Sequence, residues 1–180
     1  MGLGLLTLRS PISNYDEWWL KAVCWGSGYQ QVTRLGDDNA KTRENVWATF
    51  VECWIRHLGI PGIVVVDTGP EFQAYFADML EAHGGTILPT DARSPWQNGR
   101  TERAGGEWKR QAKLARKKDE PITDKEYVAL GQLCCAVRNR YNNRSGFSPT
   151  QRVYGFNHRL PNSLLSDDPI DPLNVNPLGD

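Results

Sequence analysis

The chain has 180 residues, 39% of them apolar and 23% charged; that length buries a core without staples and fits one domain. The composition excludes a disordered or fibrous chain, and no apolar run approaches the ~18 residues of a membrane-spanning helix. Lysine and arginine (21) balance aspartate and glutamate (21), so any affinity for a polyanion must come from how the charge is distributed, not from its total.

Residues 3–8, LGLLTL, predict a short strand with a glycine inside it, and RSPISNYDE a turn. WWLKAVCW and SGYQQVTRL are rich in aromatic and β-branched residues and break at Gly26 and Gly28, which predicts a pair of antiparallel strands. Over 37–59, Val46, Phe50, Val51, Trp54, Ile55 and Leu58 recur at helical spacing and stop at Gly59. Asp37 and Asp38 ahead of that helix read as caps. The run Ile63 to Val66 predicts a strand buried on both faces, and it ends in Asp67. EFQAYFADMLEAHGG predicts one helix carrying Phe72, Phe76, Met79 and Leu80, stopped by Gly84 and Gly85. TILPT is a short strand and DARSPWQNGR a loop of turn formers; a long basic helix over 99–118 and another over 123–142 follow. The end, SDDPIDPLNVNPLGD, is rich in proline and aspartate and predicts a frayed or disordered extension, so the chain divides into a domain over 1–155 and a carboxy-terminal extension over 156–180.

Three antiparallel strands followed by strand–helix–strand–helix units predict an α/β fold with a mixed sheet flanked by helices. In such sheets ligands bind beyond the carboxyl ends of the parallel strands, where Asp67 stands; a turn former in Asp67–Thr68–Gly69–Pro70 is the plainer alternative. From Arg93 to Lys118 nine basic residues face only Glu102 and Glu107, so that segment carries +7 and the remainder −7. One basic face on an acidic body suits a polyanion, against the commoner case of a solvated helix. Glu102 lies in the first turns of that helix, where the dipole favours a carboxylate. No signal peptide opens the chain. Cys24, Cys53, Cys134 and Cys135 lack zinc or redox spacing, which with the missing signal predicts reduced core thiols in an intracellular protein.

Asp67 and Glu102 lie 35 residues apart, and their flanks carry a resemblance. VVVDTGPEF, SPWQNGRTER and NRSGFSPTQRVYGFNHRLP resemble the catalytic core of retroviral and LTR-retrotransposon integrases of the gypsy-like type, over residues 2–165. The resemblance implies a ribonuclease H-like fold with a five-stranded mixed sheet, and metal-dependent cleavage and strand transfer at DNA phosphodiesters. Asp67 and Glu102 would be the catalytic carboxylates and ligands of Mg2+ or Mn2+. Hard divalent ions take oxygen ligands; a pair ~3.5–4 Å apart stabilises attacking and leaving oxygens, and the carboxylates must come from rigid elements. DNA would be the partner, held by Gln97, Asn98, Arg100, Lys109, Arg110 and Lys113, with Asn98 as a plain helix cap the alternative. Lys109, Lys113 and Lys117 follow Glu102 along one helix face, and Gly105 with Gly106 costs that helix ~2 kcal/mol relative to two alanines. The family also implies a homo-oligomer, nuclear when functional. Trp18, Trp19, Trp25, Trp47, Trp54 and Trp108 are read as core or dimer packing, and Trp96 as core packing or a base contact. The zinc spacing of an amino-terminal module and a carboxy-terminal barrel are not found, so concerted integration is not expected of this chain alone.

The family uses three acids. Matching the GSGYQQ turn to its family counterpart puts the first at residue 4, and this chain has Gly4. Asp16 and Glu17 fall at the far end of the first hairpin and Asp37 and Asp38 at a helix start, so none is expected to substitute. The expectation is an inactive integrase core. The alternatives are a catalytically dead DNA-binding or protein-interaction module of the same fold, and an unrelated hydrolase, against which the chain offers no nucleophile elbow, phosphate-cradling glycine loop or Cys–His pair.

Overall fold

The computed structural model describes residues 1–67, 69–90, 98–141 and 146–157. A hairpin opens it: β1 (Gly2–Arg9) and β2 (Asp16–Val23) pair antiparallel from Gly2 opposite Val23 to Arg9 opposite Asp16. The expected turn is thus trimmed to 10–15, with Asn14 at φ 59°, a left-handed conformation that asparagine tolerates. β3 (Gln30–Gly36) pairs antiparallel with β2, and the register shifts between Trp18 and Trp19. β4 (Ile63–Val66) and β5 (Thr86–Pro89) join in parallel, giving the strand order β3-β2-β1-β4-β5. The five-stranded mixed sheet expected from the sequence is present.

Alternation of side chains across the strands sorts two cores. On one face Leu3, Leu20, Ala22, Val64 and Val66 pack against Val46, Trp47, Phe50 and Trp54 of the first helical segment and Phe76 and Leu80 of the next. That first segment is α1 (Arg43–Phe50), capped by Thr42, which runs through a π-helical turn (Val51–Ile55) into α2 (Arg56–Leu58). It starts six residues later than the expected boundary at 37. Asp37 instead caps a short 3-10 turn (Asp38–Ala40), accepting from the N–H groups of Asn39 and Ala40, because its side chain finds those donors before a longer helix can form.

The helix expected over 71–85 is divided. Pro70–Phe72 form a 3-10 turn that buries Glu71 and Phe72, and α3 spans Tyr75–Ala82 only. Ala74, at φ 49°, sits between the two, and continuous helical spacing did not disclose that break.

On the other face Leu6, Leu8, Trp19 and Val32 pack against Trp108 and Ala112 of α4 (Gly99–Asp119) and Tyr127, Cys134 and Cys135 of α5 (Asp124–Arg140). The Trp19 and Trp108 rings lie 5.0 Å apart, and Tyr127 meets Trp19 edge-on at 5.6 Å. α5 begins at a capping box, Thr123 with Glu126. A second box, Ser148 with Gln151, starts α6 (Pro149–Tyr154), an element not expected from the sequence.

Trp19, Trp47, Trp54 and Trp108 are core residues, as expected. Trp18 and Trp25 are half-buried, their indole N–H groups donating to Asp38 and Thr101. All four cysteines are free thiols, and burial pushes that of Cys134 up to about 11. Trp96, Gln97 and Arg93 of the loop, and residues 158–180 of the expected extension, lie outside the described residues.

Candidate functional site: two carboxylates and a buried lysine

Asp67 follows Val66 at the carboxyl end of β4. Strand alternation turns it to the face of Val65, the side covered by α4, and it is exposed there. Its Oδ1 accepts a hydrogen bond from Asn98 Nδ2 at 2.9 Å. Asn98 caps α4 in position only, with no side-chain bond to the helix N–H groups. Only 1% exposed, it is turned inward to hold Asp67, neither free for a DNA base nor a side-chain cap.

The start of α4 lies close to the sheet because β1 is small there. A Cβ on Gly2 would stand 1.8 Å from Thr101 Oγ1 and 2.7 Å from Trp25 Nε1, so no larger residue fits beneath the helix. Glu102, one residue on, is exposed.

Gly4 is the next residue of β1 on the same face. A Cβ there would lie 3.5 Å from Asp67 Oδ2, so residue 4 faces Asp67. The same point lies 3.6 Å from Cε and 3.8 Å from Nζ of Lys21. Lys21 is the cross-strand partner of Gly4 on β2, and the absent side chain at residue 4 leaves room for its butylammonium arm. Lys21 is 6% exposed. Gly105 of α4 accommodates it from above: a Cβ on Gly105 would come within 2.9 Å of both Cδ and Nζ. That glycine, expected only as a cost to the helix, makes space for the lysine. Burial pushes the Lys21 ammonium below the ordinary lysine range, the negative charges of Asp67 and Glu102 oppose that lowering, and Lys109 adds to it.

Asp67, Glu102, Asn98, Lys21 and Lys109 therefore share one site. Lys113 is exposed on the Glu102 face of α4, one turn beyond Lys109. Arg100 is placed elsewhere: its Nη1 donates to the Trp25 carbonyl at 3.2 Å, and it lines a shallow cleft with Arg103, Glu107, Arg138 and Gln30. Arg110 is exposed and follows Arg103 along the helix, off the Glu102 row. The acids set aside as substitutes are indeed distant. Asp16 lies five residues along β2 from Lys21, about 17 Å at ~3.4 Å per residue, and Glu17 is buried in an ion pair with Arg34 at 2.8 Å.

Sequence reasoning missed Lys21. Its signal was present: within WWLKAV it is the one charge in an apolar strand, on the face shared with Trp19 and Val23, where a charge needs a reason.

The donors present do not fit a pair of divalent cations. Residue 4 supplies no oxygen, one Asp67 oxygen is engaged by the Asn98 amide, and the Lys21 ammonium stands 3.8 Å from the position of a residue-4 Cβ. Among the described residues, no group of three or more His, Cys, Asp or Glu side chains is gathered closely enough to hold a metal ion.

No protein-family model matches the chain, and no curated protein matches it by sequence. Solved structures do match. The simian T-cell lymphotropic virus intasome in complex with PP2A regulatory subunit B56 gamma superposes with a TM-score of 0.70 at 16% identity, over 89% of this chain and 55% of that one. The chain thus spans about half the length of that relative. The HTLV-2 integrase catalytic core domain in complex with magnesium, in its dimeric form, gives 0.65 at 17% identity, over 83% of this chain and 93% of that. The catalytic core domain of BIV integrase gives 0.61 at 16%, over 86% and 93%. The chain has the ribonuclease H-like fold of the retroviral integrase catalytic core.

Proposed function

We propose that this chain is the core of a retroelement integrase, of the gypsy-like type, that has lost strand-transfer chemistry and retains a DNA-binding face. The observation that carries the reading is the position of Gly4. It faces Asp67 across the site with a glycine's empty side, and the integrase fold needs a carboxylate there to complete its three acids. In an intact core Mg2+ or Mn2+, held by those acids, would supply the charge that stabilises a phosphodiester transition state. Here Asp67 and Glu102 remain without that third ligand. What the chain's own residues retain is positioning: Asn98 fixes Asp67, and Glu102, Lys109 and Lys113 succeed one another along α4.

DNA is the partner that the cationic row of α4 suits, with Lys109 and Lys113 on phosphates and Arg100 and Arg110 on the flanks; Gln97, outside the described residues, keeps its sequence-based assignment to DNA. Contacts of this kind bind with little sequence preference and strong salt dependence. The dimeric relative supports a homo-oligomer, and DNA binding would place the protein in the nucleus. No helix among the described residues is long and apolar enough to cross a membrane. The domain is taken to end near residue 155.

Fluorescence anisotropy with labelled duplex DNA across a salt series, beside a disintegration assay on branched DNA with Mn2+, tests the reading. The expected result is salt-sensitive, sequence-indifferent binding and no strand-transfer product. Product from the unsubstituted chain that disappears in Glu102→Gln would show intact chemistry. An absence of DNA binding at low salt would remove the DNA-binding function.

A further inference from the structure

Two departures from a three-acid site meet at one point. The first is Gly4, which removes a carboxylate. The second is Lys21, directly across the β1–β2 ladder, which brings a positive charge to within 3.8 Å of the position a residue-4 Cβ would take. Its Nζ and Asp67 Oδ2 both lie within 4 Å of the position of a residue-4 Cβ, at 3.8 and 3.5 Å. Glu102 completes the surroundings as a second negative charge within electrostatic reach of the ammonium. The helix above is notched by Gly105, where any side chain would press on the lysine. A buried lysine is tolerated only where opposite charge or good solvation compensates it, and here Asp67 and Glu102 offset part of the cost of burial.

We propose that Lys21 is the resident cation of this site: its ammonium takes the space of the missing acid and the ions that acid would hold, balances Asp67 and Glu102, and excludes divalent metal. The proposal rests on the reading of residue 4 as the first-acid position of an integrase core. It carries a consequence for reversal. In a glycine-to-aspartate replacement at residue 4 the added Cβ itself is accommodated, its contacts being of ordinary van der Waals length. The new carboxylate would nonetheless meet the Lys21 ammonium before any metal. One substitution therefore does not recreate a metal centre; two do.

The test compares the unsubstituted chain with Gly4→Asp, Lys21→Met and Gly4→Asp/Lys21→Met, each melted in EDTA and in saturating MnCl2, with Mn2+ affinity measured by calorimetry. Ligand that binds only the folded state raises Tm by mass action. The unsubstituted chain and Gly4→Asp are expected to melt at the same temperature with and without Mn2+. Lys21→Met should melt no lower than the unsubstituted chain in EDTA, since burial already disfavours the ammonium and both carboxylates are exposed to solvent. The double variant should melt lowest in EDTA, rise with Mn2+, and bind it at least about tenfold more tightly than Gly4→Asp, a modest factor for removing one opposing charge from a site of low effective dielectric. If the double variant does not fold, Lys21→Gln in its place repeats the comparison. Mn2+ binding by Gly4→Asp as tight as by the double variant, or a Mn2+-induced rise in the unsubstituted chain, would overturn the role of Lys21 while leaving the integrase reading intact. A folded double variant that ignores Mn2+ would overturn both, because residue 4 would then not be an acid position.

Discussion

Gly106 and Gly131 are interior residues of the long helices α4 and α5, and the same substitution is expected to act on them with opposite sign. Alanine is worth ~1 kcal/mol over glycine inside a helix, chiefly because it restricts the unfolded backbone. At Gly106 an added Cβ meets nothing within 4 Å, so Gly106→Ala should deliver that gain and raise Tm by roughly 2–4 °C for a domain of this size. At Gly131 the Cβ would stand 2.8 Å from Trp19 Cη2, 2.9 Å from Cζ3 and 3.2 Å from Trp108 Cζ2. Neither indole can yield. Both are fully buried, Tyr127 closes on Trp19 edge-on, and Trp108 Nε1 is tied to the Gly131 carbonyl at 2.9 Å. Overpacking costs about 1–3 kcal/mol, and two rigid rings put this case at the upper end. Net of helix propensity, Gly131→Ala should lose about 2 kcal/mol, leaving the two variants roughly 3 kcal/mol apart. Urea unfolding followed by tryptophan fluorescence measures both, with an unchanged slope confirming that only stability moved. If Gly131→Ala proves as stable as Gly106→Ala, α5 does not pack closely on the Trp19–Trp108 pair.

Trp108→Ala removes the central ring of the α4–α5 core and should cost ~3–5 kcal/mol; a loss under 1 kcal/mol in the same urea assay would contradict that placement. Lys109→Ala/Lys113→Ala should weaken DNA binding at low salt and flatten the slope of log affinity against log salt by ~0.9 for each phosphate no longer neutralised, read by anisotropy; an unchanged slope would remove both lysines from the interface. Glu126 is held below the ordinary carboxylate range by the backbone N–H groups of Thr123 and Ile122 and the Thr123 hydroxyl. A carboxyl lowered on folding stabilises above its unfolded pKa and loses that contribution as pH falls through its folded pKa. The stability gap between Glu126→Gln and the unsubstituted chain should thus be full at neutral pH and close in acid, and urea midpoints across that range would disprove the capping role if the gap stayed constant.

The elements that position the site were legible in the residues. Ile63 to Val66 is a β-branched run too short for a helix, and its end at Asp67 is a local fact. The α4 helix is marked by its charge and by the turn formers before it. The break between the Pro70–Phe72 turn and α3 was not legible, because Phe72, Phe76 and Leu80 keep helical spacing across a residue whose backbone departs from it. The short α6 was overlooked although its capping box is written in SPTQ.

Sequence periodicity reports which face a residue occupies and is local by nature. What stands across from that face depends on strand register and on how near a helix comes, and these are set by contacts between residues far apart in the chain. Lys21 is the instance. The sequence by itself determined only that Lys21 shares a face of its strand with Trp19 and Val23. Only the pairing of β2 with β1, the turn of β4 towards the same side and the notch at Gly105 decided that its ammonium lies beside Gly4 on the side Asp67 faces, because the energy of a buried charge is fixed by its neighbours in space and not by its neighbours in the chain.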